Sequence, residues 1–464
     1  MSRAGFHPAD SESQCGSVLI ASMSMLIVAE SGWTMPDTLR AFLGVLVLCL
    51  IAWACSSNRR MIPWRVVLGG IGLQVVLGGL ILGVPFTASV FEWIARQVST
   101  AIGMANEGSA FLFGPLAAVD GPAGFVFAFR VLPVIVYFAA VMAALYHLGV
   151  MQRVVASMAW VMRRTLKVSG AESLTVAANV LVGQTEAPLC IKPFLPKMTR
   201  SQLMVVMTGG FATIAGSVLA GYVDFLGGAD EEARIRFTKH LITASLMSAP
   251  AAFVMAKLML PESEEEPPET LNAQPTEERV ASNVLDAVVV GATDGLKLAL
   301  NVGAMLVAFI AILALLDWPI GALSETEWIA GWRETNGYGI WSVQGGLGLL
   351  FQPIAWCIGA PSADISQIGR LLGTSMVATE FVAYADLRTM MAEGTISPRG
   401  VIVVTYALCG FANIPSMAIQ IGGLGAIAPT RRADFSSLAP RAMLAGALAC
   451  WSTAAIASAI VGTD

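Results

Sequence analysis

Gly210-Phe211-Ala212-Thr213-Ile214 recurs further along the chain as Gly410-Phe411-Ala412-Asn413-Ile414. Each copy follows a Thr-Glu pair, Thr185-Glu186 in the first and Thr379-Glu380 in the second. Both copies thus join an acidic residue in an apolar region to a segment interrupted by glycine. Duplicated membrane folds build a single polar site between two broken helices of this kind. The repeat therefore marks the site.

The rest of the composition agrees with a membrane setting. Of 464 residues, 56% are hydrophobic and 13% charged, and the mean hydropathy is +0.71, whereas soluble proteins carry about one quarter charged residues. Apolar runs long enough to span a bilayer fall near 38–55, 66–85, 126–148, 201–223, 239–258, 294–316, 400–424 and 442–461. The expected fold is an all-α polytopic membrane protein with about eight transmembrane helices plus two re-entrant hairpins in an inverted repeat. Its expected divisions are an N-terminal extension over 1–36, scaffold helices over 37–165 and a first repeat over 166–260. An acidic linker and interfacial segment over 261–290 then leads to a second repeat over 291–464.

Lysine and arginine set the topology, because they collect on the cytoplasmic side. They cluster at Arg59, Arg60 and Arg65, at Arg153, Arg163, Arg164 and Lys167, at Lys192, Lys197 and Arg200, and at Arg431, Arg432 and Arg441. Residues 171–196 have basic flanks at both ends and must enter and leave on one side. The arms Ser173–Val182 and Ala187–Leu195 are too short to cross, and Gly183, Pro188 and Pro193 interrupt helix. Such a hairpin has to be packed in protein or line an aqueous cavity. A second hairpin is expected within 341–387, broken by Gly359, Pro361 and Gly373 before Glu380. It opens outward, although Arg388 and Arg399 there sit against the charge rule.

Other stretches suggest little chemistry. The seven cysteines form no Cys-x-x-Cys pair, and Cys49, Cys55, Cys409 and Cys450 lie in apolar runs as small hydrophobes. His7, His147 and His240 are scattered, without the spacing of a zinc site; neither residue type is expected to hold a metal. Ser17 to Ala29 is either a signal-peptide core or part of an unstructured extension. Residues 87–110 suit an amphipathic segment at the interface, and the stretch from Pro261 to Glu278 reads as a flexible acidic linker.

A carboxylate at membrane depth is costly and needs a partner or a task. Glu186 and Glu380 share their apolar setting with amides and hydroxyls but with no lysine or arginine. That suits a neutral solute rich in hydroxyl and amide groups better than an anion. Gln184 and Thr185 can read the edge of a planar heterocycle, while Glu380, Asn413 and Ser416 can take a vicinal diol. Phe411 and Val218 offer apolar walls, and Phe411 is equally explained as helix packing. The residue types do not choose between a nucleoside and a sugar.

The chain resembles the concentrative nucleoside transporters. The resemblance rests on Gly183-Gln184-Thr185-Glu186-Ala187-Pro188-Leu189, on Ala212 to Tyr222, on Glu380-Phe381-Val382-Ala383-Tyr384 and on Thr405 to Asn413, and it covers roughly 38–461. It implies a homotrimer in the plasma (inner) membrane that imports nucleosides by cation symport. It implies that Gln184, Thr185, Glu186 and Val218 meet the nucleobase and that Glu380, Asn413, Ser416 and Phe411 meet the ribose. It also implies a sodium site formed by the side chains of Asn179 and Thr213 and the carbonyls of Val182 and Ile214. Pro415 departs from the family's pattern. A proton-coupled carrier of the same fold is the alternative reading, and a channel or intramembrane enzyme is remote, since His-Glu-x-x-His and Gly-x-Ser-x-Gly are lacking. No cofactor or nucleic-acid partner is expected. Purine against pyrimidine preference and ion stoichiometry are not written in the residues.

Overall fold

The computed structural model describes residues 37–117, 125–264, 267–271, 281–335 and 341–461. The possible signal segment therefore lies outside the described residues. Helices α1 (Asp37–Ala54), α2 (Trp64–Gly78) and α3 (Pro85–Phe113) come first, and a π turn, Gly79–Gly83, extends α2. The segment expected at the interface is α3, whose buried positions Ala95, Ser99, Ile102, Ala105 and Ser109 fall on one helical stripe.

The chain then runs twice through one order of elements. The first pass is α4 (Phe127–His147), α5 (Val150–Leu166), a hairpin opened by α6 (Gly170–Asn179), the half-helices α7 (Arg200–Ala212) and α8 (Gly216–Gly227), and α9 (Glu231–Met259). The second is α10 (Val284–Ser324), the short α11 (Glu327–Thr335), α12 (Val343–Cys357), a hairpin of α13 (Ile365–Val377) and α14 (Glu380–Glu393), the half-helices α15 (Pro398–Ala407) and α16 (Ile414–Ile427), and α17 (Arg432–Ile460). Among the described residues, six stretches are long and apolar enough to cross a membrane; the runs expected at 38–55 and 400–424 are shorter or broken helices. The apolar window of Arg200–Gly227 is 94% buried, against 11% for Val284–Ser324. The half-helices are thus central, and α10 lies at the periphery.

Helix α10 meets α4 through small residues. A Cβ on Gly291 would lie 2.5 Å from the Ala143 Cβ, and one on Gly295 would lie 2.6 Å from the Ala139 Cβ. The Gly-x-x-x-Gly spacing lets the two backbones touch, as packing in lipid requires.

The first hairpin enters and leaves side by side. Ser169 and Glu172 form a capping box at the start of α6, and Thr199 and Gln202 form another at the start of α7, satisfying amides that have no water to turn to. Lys257 of α9 ties the two together. Its Nζ lies 2.7 Å from Glu172 and 3.2 Å from Glu262, and Glu262 accepts the Thr199 hydroxyl at 2.9 Å. The return arm is built of 3-10 turns, Ala187–Ile191 and Leu195–Lys197, with prolines in their first positions. Part of the expected flexible linker is docked here: Thr270 is fully buried and accepts from the Gln202 amide at 3.1 Å.

The second hairpin turns later than the sequence suggests. Its bend is at Ala378 and Thr379, while Gly359 and Pro361 separate α12 from the hairpin, and Gly373 lies inside α13. A Cβ on Gly373 would meet that of Leu347 at 2.5 Å, so glycine there allows helix contact and does not break the chain. The arms run back to back, with Arg370 of α13 3.6 Å from Asp386 of α14. Their ends also meet, since Asp364 accepts from the Ser397 backbone amide at 3.3 Å. Arg388 is stacked on aromatics, its guanidinium 3.7 Å from the Phe125 ring centre, which gives that cation a place the charge rule does not foresee.

Candidate functional site

The two interruptions named at the outset lie against each other. Thr213 and Asn413 hold the same position in their repeats and have the same extended backbone, with φ −125° and ψ 165° in one and φ −137° and ψ 162° in the other. A Cβ on Gly410 would lie 2.6 Å from the Phe211 carbonyl oxygen, so only glycine lets the breaks cross this closely. Cys450 of α17 donates its thiol towards the Ala212 carbonyl at 3.3 Å and the Cys409 carbonyl at 3.2 Å. These are carbonyls released by the breaks, and satisfying them holds irregular backbone inside the protein.

Both hairpin tips reach this crossing. Gly183 has φ +113°, a conformation glycine adopts without Cβ strain, and the Leu181 carbonyl beside it accepts the Gly216 amide that opens α8 at 2.9 Å. On the other side Thr379 caps α14, which places Glu380 in the first turn. The resulting cleft, ≈ 100 Å³, is lined by Val182, Gln184, Thr185, Glu186, Val218, Glu380, Phe411, Asn413 and Ser416, among others. All eight residues expected to meet solute are therefore brought together.

Their chemistry differs between the tips. Glu380 is 3% exposed and accepts from Tyr222 Oη at 2.6 Å and from Asn413 Nδ2 at 2.6 Å. Asn413 also accepts the Ser416 amide at 2.8 Å as the cap of α16, so one side chain starts a helix and aims a carboxylate. Glu186 is exposed, and its carboxylate makes no hydrogen bond among the described residues, while its backbone carbonyl accepts the Leu189 amide at 2.9 Å. Gln184 is buried with its Oε1 unpartnered, an acceptor that can serve a ligand donor. Pro415 occupies the first turn of α16, where a missing N–H costs nothing; Ser416 keeps its place on the wall.

The expected ion ligands gather behind the first tip. Asn179 is 1% exposed with both side-chain polar atoms unpartnered, and its Nδ2 would lie 3.5 Å from a Cβ on Gly209. The Gly209 carbonyl accepts the Thr213 hydroxyl at 2.9 Å, which leaves the Thr213 oxygen lone pairs free. Val182 is at the cleft and Ile214 follows Thr213 in the break. Oxygen donors and unwound backbone suit a hard monovalent cation.

Sequence reasoning missed several participants. Tyr222 stands one helical turn beyond Val218, and Gln420 one turn beyond Ser416; a polar group four residues from a site residue was the available signal. Gln420 is 1% exposed and donates to the Met207 carbonyl at 3.0 Å. Leu298, Val302, Met305 and Leu306 of α10 supply the facing wall, at helical spacing that looks like any lipid-facing stripe.

Two re-entrant tips and two broken helices around one polar cleft define a secondary carrier, not an enzyme. Three family models match the chain: "Na+ dependent nucleoside transporter N-terminus" over 43–116, "Nucleoside recognition" over 128–229 and "Na+ dependent nucleoside transporter C-terminus" over 240–458. The chain belongs to the Na+-dependent nucleoside transporter family, and is a multi-pass protein of the plasma membrane. Among its relatives, an "Uncharacterized transporter" of Haemophilus influenzae is 40% identical over 92% of this chain and 98% of its own length. "Sodium/nucleoside cotransporter 1" of Rattus norvegicus is 39% identical over 91% of this chain, which spans 64% of that longer protein. Among solved structures, CNTnw in an inward-facing substrate-bound state superposes with TM-score 0.82 at 40% identity, covering 92% of this chain and 98% of that one. A doubly substituted CNTnw in an outward-facing state gives 0.83 at 39% identity, covering 92% and 99%.

Proposed function

We propose that this chain imports nucleosides by sodium symport with alternating access. The observation that carries the reading is the aimed carboxylate: Glu380, held by Tyr222 and Asn413, faces the unpartnered Gln184 amide oxygen across one cleft. In this reading Glu380, Asn413 and Ser416 take the ribose hydroxyls, beside Phe411. Gln184, Thr185, Glu186 and Val218 take the base. A carboxylate accepts two hydroxyl protons at once, and such charge-assisted bonds are roughly twice as strong as neutral ones.

Sodium is held by Asn179 and Thr213 side-chain oxygens and by the carbonyls of Val182 and Ile214. The orphaned, buried Asn179 amide supports this, because an unpaired polar group away from water is destabilising until a ligand arrives. The ion would fix the first tip and so favour nucleoside binding beside it, which is the reciprocal coupling symport requires. The peripheral α10, with its large exposed apolar face, serves lipid and the contacts of a homotrimer.

The deciding experiment is uptake into proteoliposomes with a panel of nucleosides, with and without a sodium gradient. Concentration of a nucleoside against its gradient, only when sodium is imposed, is the expected result. Equilibration without concentration would indicate a channel, and uptake driven by pH alone would indicate a proton carrier.

A further inference from the structure

We infer that a basic cleft between the start of α2 and the end of α5 binds the headgroup of an anionic phospholipid. Arg65, Arg163, Arg164 and Lys167, with Trp160, line a cavity of ≈ 570 Å³ that is separate from the transport cleft. None of the four cations has a carboxylate partner among the described residues. The two segments that form the cleft carry no counter-charge of their own, since neither 55–91 nor 149–171 contains an aspartate or glutamate.

The walls are fixed by close packing. A Cβ on Gly69 would lie 3.1 Å from Leu166 Cδ2 and 3.6 Å from the Thr165 carbonyl, so α2 and the last turn of α5 are in contact below the cavity. Lys167 closes α5 with φ 53° and ψ 45°, and it is the one non-glycine residue with positive φ among the described residues. Glycine or asparagine would occupy such a position with less strain. A lysine held there keeps a fourth cation on the cavity.

The positive-inside rule accounts for the sign of charge at this end of the molecule. It does not require four cations to converge on one concavity. Like charges crowded without counter-ions repel, and an anion between them removes the repulsion. The surroundings select a lipid as its source. Trp64, Leu68 and Val76 are 62%, 66% and 54% exposed and follow one another along the outer face of α2, and Trp160 at the rim is 61% exposed. Acyl chains can lie along that stripe while the phosphate sits among the guanidinium groups, and interfacial tryptophan belongs at that depth. A soluble phosphate would make no use of the stripe.

Native mass spectrometry of the purified full-length protein, titrated with phosphatidylglycerol or phosphatidylcholine, tests this. The wild type should retain phosphatidylglycerol at concentrations at least tenfold below those needed for phosphatidylcholine. Arg163→Gln with Arg164→Gln on one wall, and separately Arg65→Gln on the other, should each narrow that preference severalfold while leaving bound nucleoside unchanged. Equal retention of both lipids by the wild type would overturn the inference, as would an undiminished preference in both variants. Displacement of phosphatidylglycerol by millimolar inorganic phosphate would also overturn it, by assigning the cleft to a soluble anion.

Discussion

Tyr222 and Glu380, on half-helix α8 and the second hairpin, are joined by a hydrogen bond of 2.6 Å, with the phenol donating to Oε1 while Asn413 donates to Oε2. One carboxylate thus ties the two repeats together at the cleft. Its orientation is set before any solute arrives, so less ordering is needed on binding.

Replacing Glu380 by Gln keeps its size but removes the charge that strengthens diol contacts, on the order of 1.5–3 kcal/mol for each bond to a charged group. Uptake should fall at least tenfold. Tyr222→Phe leaves Asn413 as the one side-chain donor to the carboxylate among the described residues, and the expected rise in half-saturating nucleoside concentration is about tenfold. Because both changes act on one contact, the double variant should transport no worse than Glu380→Gln alone. Additive losses would show that Tyr222 acts elsewhere, and near-normal uptake by a correctly inserted Glu380→Gln protein would remove Glu380 from the site.

Lys257 lies between Glu172 and Glu262 at the base of the first hairpin, with side-chain exposures of 5%, 0% and 21%. Lys257→Met leaves Glu172 buried without its counter-charge, a change that costs about 3–5 kcal/mol in comparable pairs. Thermal unfolding in detergent should shift downward by several degrees. Adding Glu172→Gln should recover much of the loss, because it removes the stranded charge. A single variant as stable as wild type would mean that water reaches this pair.

The hairpin topology has a direct readout. Lys167→Cys and Lys197→Cys, introduced one at a time in a cysteine-free background, should both react with an impermeant maleimide from the cytoplasmic side alone. Labelling from opposite faces would make 171–196 a crossing segment and would end the re-entrant description.

The site was legible where chemistry and punctuation coincide. Gly183, Pro188 and Pro193 announced the first hairpin, and the paired Gly-Phe-Ala motifs announced both breaks. The second bend was misplaced because Ala378 and Thr379 carry no glycine or proline, while Gly359, Pro361 and Gly373 do lie upstream. Glycine marks close approach as readily as it marks a turn, and only a neighbour such as Leu347 separates the two. Phe211 and Phe411 make the same point. They match in the repeat, yet Phe211 is fully buried with its Cβ 2.4 Å from where a Cβ of Gly446 would stand, and Phe411 lines the cleft. Sequence symmetry fixed the position of each ring but not its environment.

The coupling ion separates the two leading mechanisms most sharply. Asn179 is buried with neither side-chain polar atom partnered, and Thr213 donates its hydroxyl to Gly209 while keeping its lone pairs free. If these oxygens hold sodium, Asn179→Ala with Thr213→Ala removes two ligands and leaves Glu186 and Glu380 able to exchange protons. Sodium-driven uptake should collapse, and the sodium concentration for half-maximal uptake should rise at least tenfold. Nucleoside affinity measured without sodium should change little, because binding of ion and nucleoside is reciprocally linked only through the ion-bound state. Proton coupling would give a different pair of results. Wild-type uptake would follow an imposed pH gradient in sodium-free buffer, and the double variant would lose nothing specific to sodium. That outcome would overturn the sodium site while leaving the nucleoside cleft in place.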